Sequence, residues 1–544
     1  MQTILSNNLK FKIINEDARK ITTRIEDKVN RTIEKTNKYL KESNCNILPN
    51  VKASGSTPGI LYGLPKIHKP SVPLRPVLAA YSTAPFKLSQ WLVEILTPYS
   101  INEYTLKNSY NFAQIISDNK LKLQENVLVS YDVESLFTNI PVIETIDIVT
   151  NIIFKDKDIF HGLNKKLFKE LLQISASNSY FFFNNKLYLQ TDGVSMGSPL
   201  GPTLANFFMN HLEERFMKDC PSYFKPIIYK RYVDDTFTVF KSVHQANLFH
   251  NYINNTHNNI KFTMEVENNG KLAFLDTLVD RSQNSHINIS IFRKSMFTGL
   301  GLSFFSYCPI KFKINAISTL LHRAYHLCNN FFNIHSEFQF LKEFFLNNGY
   351  PVNLIDRQIN KFLNKIYVKK PETATVMKQL IYVSLPYFGP SSEQMKKELN
   401  KCLSKFYSTI NFKIVLSNPN KLYNFFPRKE CLPLPLRPSI IYQYSCPSCN
   451  TGTYIGSSSR CFQIRIDEHR GISTRTKLPL CKPSYSAIRD HCLSIHGTNP
   501  ETKDFKILDS AANIEDLLIL ESIYINKTKP NLNATFSAFP LHLI

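Results

Sequence analysis

The chain has 544 residues, of which 43% are hydrophobic and 20% are charged. This length exceeds what one ordinary core holds, and the composition excludes a largely disordered chain, so several globular domains are expected. The formal net charge of +22 predicts a polyanionic partner, with nucleic acid ahead of an anionic membrane surface. No apolar run has the length of a membrane span, and the N-terminus lacks the apolar segment of a signal peptide. We therefore expect an intracellular protein with no membrane partner.

The first 290 residues divide into a helical segment and a mixed α/β region. Residues 1–53 are predicted to be an N-terminal helical segment. Residues 8–50 are polar and basic, and the spacing of Ile21, Ile25 and Val29 predicts a helix. The Gly/Pro-rich stretch from Ser54 to Pro76 predicts extended structure and loops. Beyond it, short apolar strands alternate with helical stretches.

An acidic constellation stands at the end of one predicted strand and in the turn between two others. Asp132 ends the strand candidate at 127–131, and the turn carries Tyr232-Val233-Asp234-Asp235. Nucleotidyl transfer uses two divalent cations about 4 Å apart, and these hard ions require carboxylate oxygens. A lone Asp-Asp pair is most often an ordinary polar turn. We predict that Asp132, Asp234 and Asp235 instead form a Mg²⁺ or Mn²⁺ centre, because four other features agree with it.

The first two features are an aromatic residue and a glycine-rich segment. Phe137 lies five residues after Asp132, although such a side chain can also be core. The segment 193–202 opens a helix that runs through Leu204 and Phe208, and its glycines, Gly197 among them, allow the backbone to approach a base pair closely.

The other two features are a basic hairpin and a turn. Lys66 and Arg75 lie in a hairpin braced by Gly and Pro, where they suit a triphosphate; a solvated basic loop is the alternative. The sequence Phe274-Leu275-Asp276 follows at a distance that fits a primer-contacting turn.

These motifs together resemble the reverse transcriptase of Penelope-like retroelements, which is similar to telomerase reverse transcriptases. The resemblance rests on the run from Asp132 to Pro141, on Gly63-Leu64-Pro65-Lys66-Ile67-His68-Lys69, on Tyr-Val-Asp-Asp and on Phe-Leu-Asp. It implies a right-hand polymerase with fingers and palm at 54–290 and a helical thumb at 291–375. It also implies that Phe137 excludes the ribose 2′-hydroxyl and that the basic pair Arg293-Lys294 follows the palm.

Residues 376–435 are predicted to be a linker region. Four prolines cluster near its end, and Ser391 with Gln394 forms a capping-box pattern ahead of a short helix.

The C-terminal part, residues 436–544, carries paired Cys and His residues. The two pairs, Cys446-x-x-Cys449 and His491-x4-His496, supply the four ligands of a closed, structural Zn²⁺ site. On spacing alone, free thiols and surface histidines are the alternative.

The residues around these pairs resemble a GIY-YIG homing-type endonuclease, with Ile in place of the first Gly. The series, in chain order, is Tyr442, Tyr454, Arg465, His469, Glu521 and Asn533. The resemblance implies that a tyrosine, Tyr442 or Tyr454, activates or holds water, and that Arg465 and His469 stabilise the scissile phosphate. Glu521 would bind one divalent cation, Mg²⁺ or Mn²⁺, and Asn533 would orient the site.

We therefore expect an α+β multidomain protein: a right-hand polymerase followed by a small α/β endonuclease domain with a zinc site. Its expected function is target-primed reverse transcription, in which a DNA nick provides the 3′-hydroxyl for copying an RNA template. The expected partners are template RNA, target DNA with its primer 3′ end, and dNTPs, in the nucleus. Alternatives are an inactive or N-terminally truncated relic that only binds nucleic acid, and a nicking enzyme whose palm only presents RNA.

Overall fold

The structure is a computed structural model of the whole chain. It describes residues 2–8, 10–67, 71–119, 123, 125–177, 179–281, 287–367, 379–407, 410–418, 432–449, 451–474, 476–511 and 514–534. His68 and Lys69 of the predicted basic hairpin lie outside the described residues.

The described elements alternate between helices and short strands. The helices are α1 Gln2–Leu5, α2 Ala18–Glu42, α3 Phe86–Leu96, α4 Ser109–Asp118, α5 Leu136–Asn139, α6 Val142–Ile153, α7 Lys165–Ala176, α8 Gly201–Asp219, α9 Val243–Asn254, α10 Ile310–Leu327, α11 Phe331–Asn347, α12 Val352–Tyr367, α13 Pro390–Phe406, α14 Phe462–Arg470, α15 Ala487–His491 and α16 Ile514–Thr528. The strands are β1 Phe11–Ile14, β2 Gly59–Pro65, β3 Leu74–Ala79, β4 Val127–Val133, β5 Ile159–Phe160, β6 Leu163–Asn164, β7 Ser179–Phe183, β8 Lys186–Gln190, β9 Ile228–Tyr232, β10 Asp235–Phe240, β11 Phe262–Val266, β12 Lys271–Phe274, β13 Thr277–Asp280, β14 Asn288–Ile291, β15 Gln379–Pro386, β16 Ile410–Ser417, β17 Ile440–Ser445, β18 Thr453–Ser458 and β19 Phe505–Ser510.

The chain divides into two compact units. Unit 1 comprises Met1–Ile101, Ser135–Leu212 and Lys429–Ile544, and unit 2 comprises Asn102–Glu134 and Glu213–Arg428. Among the described residues, no helix is both long and apolar enough to cross a membrane.

Unit 1 contains two larger sheets. One has the strand order β1-β8-β7-β2-β3, and the other has the order β18-β17-β19. The amphipathic helix α2 begins after Asp17, whose carboxylate accepts the Arg19 backbone N–H, and it buries Ile21 and Val29. Ile21 belongs to a cluster with Leu432 and Leu436, so the chain ahead of the C-terminal module packs on the N-terminal helix.

Unit 2 is built on an antiparallel sheet with the order β11-β4-β10-β9. β10 is buried at every position from Thr236 to Phe240. Leu128, Phe237 and Val239 form a core with Phe112 and Phe274. The sheet β12-β13-β14 follows, and the helices α10, α11 and α12 pack around a second core. Their bounds lie within the predicted thumb.

The predicted linker contains regular structure. β15 and β16 pair in parallel over eight residues each, and α13 connects them. The predicted capping box is wrong: α13 begins at Pro390 with Gly389 as its N-cap, so Ser391 is inside the helix. Proline fits the first helical position because its missing N–H would have no partner there.

Candidate functional site

The three predicted aspartates lie together at one end of β4 and β10, the two central strands of the unit 2 sheet. Asp132 on β4 is the direct cross-strand partner of Asp235 on β10, which places their Cβ atoms about 4.5–5.5 Å apart. Asp234 lies in the adjacent turn, and its carbonyl accepts the Val133 N–H at 3.2 Å. Residues that are remote in sequence are therefore brought together by strand register.

The turn that carries Asp234 is strained. Since Tyr232 pairs with Asp235, only Val233 and Asp234 connect β9 to β10. Val233 has φ of 57°, in the left-handed region. That region costs an L-residue about 1–2 kcal/mol and suits a β-branched side chain poorly. Another part of the protein must therefore stabilise this turn.

Burial, together with repulsion from the neighbouring carboxylates, raises the pKa of Asp235 to about 6. Burial is the largest cause, Asp234 and Asp132 add to it, and Lys294 acts in the opposite direction. An anionic edge of this kind is a suitable place for divalent cations.

This raised pKa predicts how stability changes with pH in the absence of metal. The ordinary pKa is 3.8 and the folded value is about 6, so folding favours the protonated form. Stability from this group is therefore present at low pH and is lost as pH rises towards 6 and above. We expect Asp235→Asn to raise the metal-free Tm at pH 7.5, and Mg²⁺ to raise the wild-type Tm more at pH 7.5 than at pH 5. Differential scanning fluorimetry would measure both; a lower Tm for Asp235→Asn at pH 7.5 would contradict the argument.

Two other predicted features of unit 2 are held by ion pairs. Arg293 pairs with Glu337 and its guanidinium lies 3.7 Å from the Phe340 ring centroid, so it supports helix α11. The exposed Lys294 is the cation near Asp235. Asp276 pairs with Arg323 at 3.2 Å in the turn between β12 and β13.

The other residues predicted for the polymerase site lie in unit 1. Lys66 follows β2 and Arg75 lies exposed on β3, and the Lys66 N–H donates to the Pro73 carbonyl at 2.8 Å. Phe137 is half-buried in α5, and its carbonyl accepts the Val194 N–H at 2.6 Å. The glycine-rich segment therefore packs on the element that carries Phe137.

Gly197 in that segment admits no side chain. Its φ is 114°, and an added Cβ would lie 2.0 Å from the Leu78 carbonyl oxygen. The neighbouring Met196 carbonyl accepts the Leu78 N–H at 2.6 Å. The backbone of the glycine-rich segment is therefore in direct contact with the backbone of β3.

The C-terminal module brings the predicted tyrosine, arginine and histidine residues into contact. Arg465 Nε donates to Tyr442 Oη at 3.0 Å, and His469 Nε2 lies 2.7 Å from the same oxygen. Both α14 residues are one helical turn apart and so share a face. The Tyr454 ring lies 5.7 Å from the His469 ring, between centroids. Gly456 is required beside them, since its Cβ would lie 2.5 Å from Tyr442 Oη.

Burial separates the two tyrosines. Tyr442 is 0% exposed, whereas Tyr454 is half-buried. Burial raises the pKa of both, and the Arg465 guanidinium partly opposes the rise. Only Tyr454 can therefore meet solvent without a rearrangement.

His469 is neutral, and a serine orients it. Burial first, and then Arg465 and Arg489, lower the pKa of His469 to about 3. Its Nδ1 lies 2.8 Å from Ser486 Oγ, which already accepts the Arg489 backbone N–H. His469 therefore bridges the hydroxyls of Ser486 and Tyr442, one through each ring nitrogen.

Glu521 on α16 and Asn533, which follows that helix, both form hydrogen bonds with β18. The Ser457 hydroxyl donates to Glu521 at 2.7 Å, and burial raises the pKa of Glu521 against this hydrogen bond. Asn533 accepts the Ile455 N–H at 2.9 Å and donates to the Ile455 carbonyl at 2.8 Å. Asn533 therefore acts on the strand that carries Tyr454, which fits an orienting role.

The two Cys and two His side chains converge. The ligand atoms of Cys446, Cys449, His491 and His496 all lie within 4.8 Å of one another. Cys449 Sγ lies 3.3 Å from His491 Nε2 and 3.2 Å from His496 Nε2. Hydrogen bonds from Thr451 and then His496 lower the pKa of Cys449 to about 5, which favours the thiolate. Tetrahedral zinc needs ligand atoms about 3.3–3.8 Å apart. The two distances from Cys449 Sγ are close to this spacing, and two Cys with two His is a donor set that suits zinc.

Among the described residues, this is the one group of three or more such side chains whose ligand atoms already converge. The three aspartates share an edge without converging in this way, as expected for carboxylates that repel one another.

Two family models match the chain. Residues 67–275 match the reverse transcriptase (RNA-dependent DNA polymerase) model, and this range includes all three aspartates and both strands that carry them. The chain contains a reverse transcriptase domain. Residues 300–360, which include α10 and α11, match the animal helix-turn-helix domain.

Several solved structures resemble the chain at low identity. They include a telomerase from Candida albicans in complex with a TWJ fragment of telomeric RNA, with 12% identity over 60% of this chain and 62% of that chain and a TM-score of 0.43. They also include the apo telomerase from Candida Tropicalis, with 11% identity over 72% and 64% and a TM-score of 0.37. A third is the Sicinivirus 3Dpol RNA-dependent RNA polymerase, with 14% identity over 56% and 68% and a TM-score of 0.38.

The chain thus spans less than two thirds of either telomerase chain, and scores this low carry no argument about substrate or mechanism. A search of curated protein sequences gives no match.

The reverse transcriptase domain also contains residues that the sequence did not single out. Glu213 and Arg231 form a completely buried ion pair, and Arg231 Nη1 donates to the Val233 carbonyl in the turn that carries Asp234. In the C-terminal module, outside both family matches, Ser457 and Ser486 orient Glu521 and His469. Each partner lies many residues away along the chain, so spacing carries no signal for these contacts.

Proposed function

We propose that this chain is the protein of a Penelope-like retroelement, in which the reverse transcriptase domain copies an RNA template into DNA. The observation that carries the polymerase part is the register that sets Asp132 opposite Asp235 beside Asp234, within the matched reverse transcriptase range. Mg²⁺ or Mn²⁺ bound there would activate the primer 3′-hydroxyl and hold the triphosphate.

The resemblance also implies residues that bind and select the nucleotide. Lys66 and Arg75 on the β2–β3 hairpin would bind triphosphate oxygens, Arg75 in bidentate fashion. Phe137 would exclude a ribose 2′-hydroxyl and so select dNTPs, and Gly197 would let the backbone approach a base pair.

Sugar selection provides the test of DNA rather than RNA synthesis. We expect the wild-type chain to prefer dNTPs on an RNA template. Phe137→Ala should raise ribonucleotide use relative to dNTP use on the order of 10–200-fold, since the change removes one steric contact. Single-nucleotide incorporation would measure the ratio of kcat/KM values, with Phe154→Ala, another half-buried aromatic of unit 1, as the control. An unchanged ratio for Phe137→Ala would remove Phe137 from the nucleotide site.

The proposed second activity is DNA nicking by a GIY-YIG type of site in the C-terminal module. It is supported by the contacts that join Tyr442, Arg465 and His469, with Tyr454 half-buried beside them. Of the two tyrosines, we assign Tyr454 to the water nucleophile, because Tyr442 is fully buried. Tyr442 would hold Arg465 towards the scissile phosphate, and Glu521 would bind one Mg²⁺ or Mn²⁺.

Plasmid nicking tests this activity. Glu521→Gln should lower the nicking rate by about 10²–10³-fold, because a neutral amide is a poor ligand for a hard cation. Glu515→Gln on the exposed part of the same helix α16 is the matched control and should nick at the wild-type rate. Equal rates for both variants would show that the proposed cation site is wrong.

A zinc ion held by Cys446, Cys449, His491 and His496 would be structural. All four protein ligands would be used, so no position is open for substrate.

The two activities together suit target-primed reverse transcription. The nick would provide the primer 3′ end on target DNA, and the basic chain would hold template RNA. A chromosomal target implies a nuclear location.

A further inference from the structure

A buried ion pair contacts the Val233-Asp234 turn between β9 and β10, which we call the catalytic turn. Arg231 on β9 and Glu213 on α8 are both 0% exposed. Arg231 Nη2 donates to Glu213 Oε2 at 3.2 Å, and Nε donates to Oε1. The guanidinium therefore binds the carboxylate through two of its nitrogens, a bidentate geometry that Lys cannot reproduce.

Glu213 is held by further donors. The Tyr229 hydroxyl donates to its Oε1 at 3.0 Å, and Asn102 Nδ2 lies 3.5 Å from Oε2. A buried carboxylate with several donors has a fixed position, so it fixes the guanidinium bound to it.

The third nitrogen of Arg231 reaches the catalytic turn. Nη1 donates to the Val233 carbonyl at 3.0 Å. Val233 is the residue with left-handed φ, and its carbonyl belongs to the peptide bond that leads into Asp234. This hydrogen bond therefore stabilises the backbone conformation from which Asp234 and Asp235 project.

The backbone of Arg231 is fixed on both sides as well. Its N–H donates to the Tyr104 carbonyl at 2.7 Å, and its carbonyl accepts the Leu106 N–H at 2.7 Å. Burial would lower the pKa of Arg231, but Glu213 and, more weakly, Asp234 raise it above the ordinary value. The side chain is thus a permanent cation beside the anionic turn.

We propose that Arg231 is a positioning residue for the polymerase centre: it binds Glu213 with two nitrogens and uses the third to hold the Val233 carbonyl. In this way it sets Asp234 and Asp235 in the geometry that binds divalent cations. This inference rests on the proposed polymerase function of the three aspartates. Arg231 itself touches neither substrate nor metal.

Arg231→Lys is the variant that separates positioning from general stability. Lys keeps the buried positive charge opposite Glu213, but one ammonium cannot replace both the fork and the bond to Val233. We expect kcat for nucleotide incorporation to fall about 10–100-fold, as for other groups that orient metal ligands, with KM for dNTP little changed. The half-saturating Mg²⁺ concentration should rise several-fold.

Two further variants complete the experiment. Arg281→Lys is the control, because it alters another Arg–Glu pair of unit 2, formed with Glu267. This variant should show the wild-type Mg²⁺ dependence even if its Tm changes. Val233→Gly accepts the left-handed φ without strain, so it should restore part of kcat in the Arg231→Lys background. A merely structural Arg231 would show no such rescue.

Binding of Mn²⁺, followed by water proton relaxation, gives a readout that does not depend on activity. Weaker Mn²⁺ binding by folded Arg231→Lys than by the wild type supports the proposal even if neither incorporates nucleotides, in which case only the polymerase assignment fails. Should Arg231→Lys not fold, Glu213→Gln replaces it and is expected to weaken Mn²⁺ binding as well. Wild-type Mn²⁺ binding and Mg²⁺ dependence in a folded variant would overturn the proposal, as would a wild-type chain that binds no Mn²⁺.

Discussion

Asp132→Asn should abolish RNA-templated primer extension, with a loss in kcat of at least about 10³-fold. The carboxylate at this position would bind a cation whose charge stabilises the transition state, and a neutral amide removes that ligand. The fold should persist, because Asp132 is half-buried and faces Asp235 across two paired strands. Removing one of two opposed like charges relieves repulsion.

The matched control for Asp132→Asn is Asp219→Asn, an exposed residue at the end of α8 in the same unit. The control should extend primers at the wild-type rate. Primer extension by folded Asp132→Asn at that rate would show that the three aspartates are not the metal centre.

Loss of the Cys/His site should unfold the C-terminal module. Structural zinc contributes about 10–16 kcal/mol to the folding of small zinc-binding peptides, which exceeds the stability of most domains. We expect about one zinc per wild-type chain, and its removal by a chelator should make residues 436–544 sensitive to protease. Cys449→Ser should have the same effect, because it removes the thiolate that contacts both histidines.

Cys481→Ser serves as the control for the zinc experiment, since Cys481 is an exposed cysteine of the same module. It should retain zinc and protease resistance. A wild-type chain without zinc, or a zinc-free Cys449→Ser module that stays resistant, would contradict the structural zinc proposal. Elemental analysis and limited proteolysis give both readouts on the full chain.

Much of the structure around the three aspartates could be predicted from the sequence because its signals are local. A short apolar run before Asp132 and two more around the Asp234-Asp235 turn predict strands, and β4, β9 and β10 confirm them. The helix after the glycine-rich segment is also confirmed, as α8. The spacing of the apolar side chains and the length of the turn are local properties, and they are sufficient to predict these elements from a few consecutive residues.

The parts that could not be predicted depend on contacts between distant residues. β15 and β16 pair in parallel across an intervening helix, so nothing within either strand distinguishes them from a linker. Arg231 resembles a solvated strand residue, yet it is completely buried because Glu213 from α8 meets it. Ser486 likewise gains its role only when α15 packs beside α14.

The most direct test of the central claim is primer extension by the wild-type full chain. A labelled DNA primer annealed to an RNA template is incubated with dNTPs and Mg²⁺, and product length is read on a gel. We predict extension to the end of the template, with none after chelation or without the RNA. No extension with Mg²⁺ or Mn²⁺, by a chain that still binds the primer–template in a salt-dependent manner, would contradict the account and favour a relic that only binds nucleic acid.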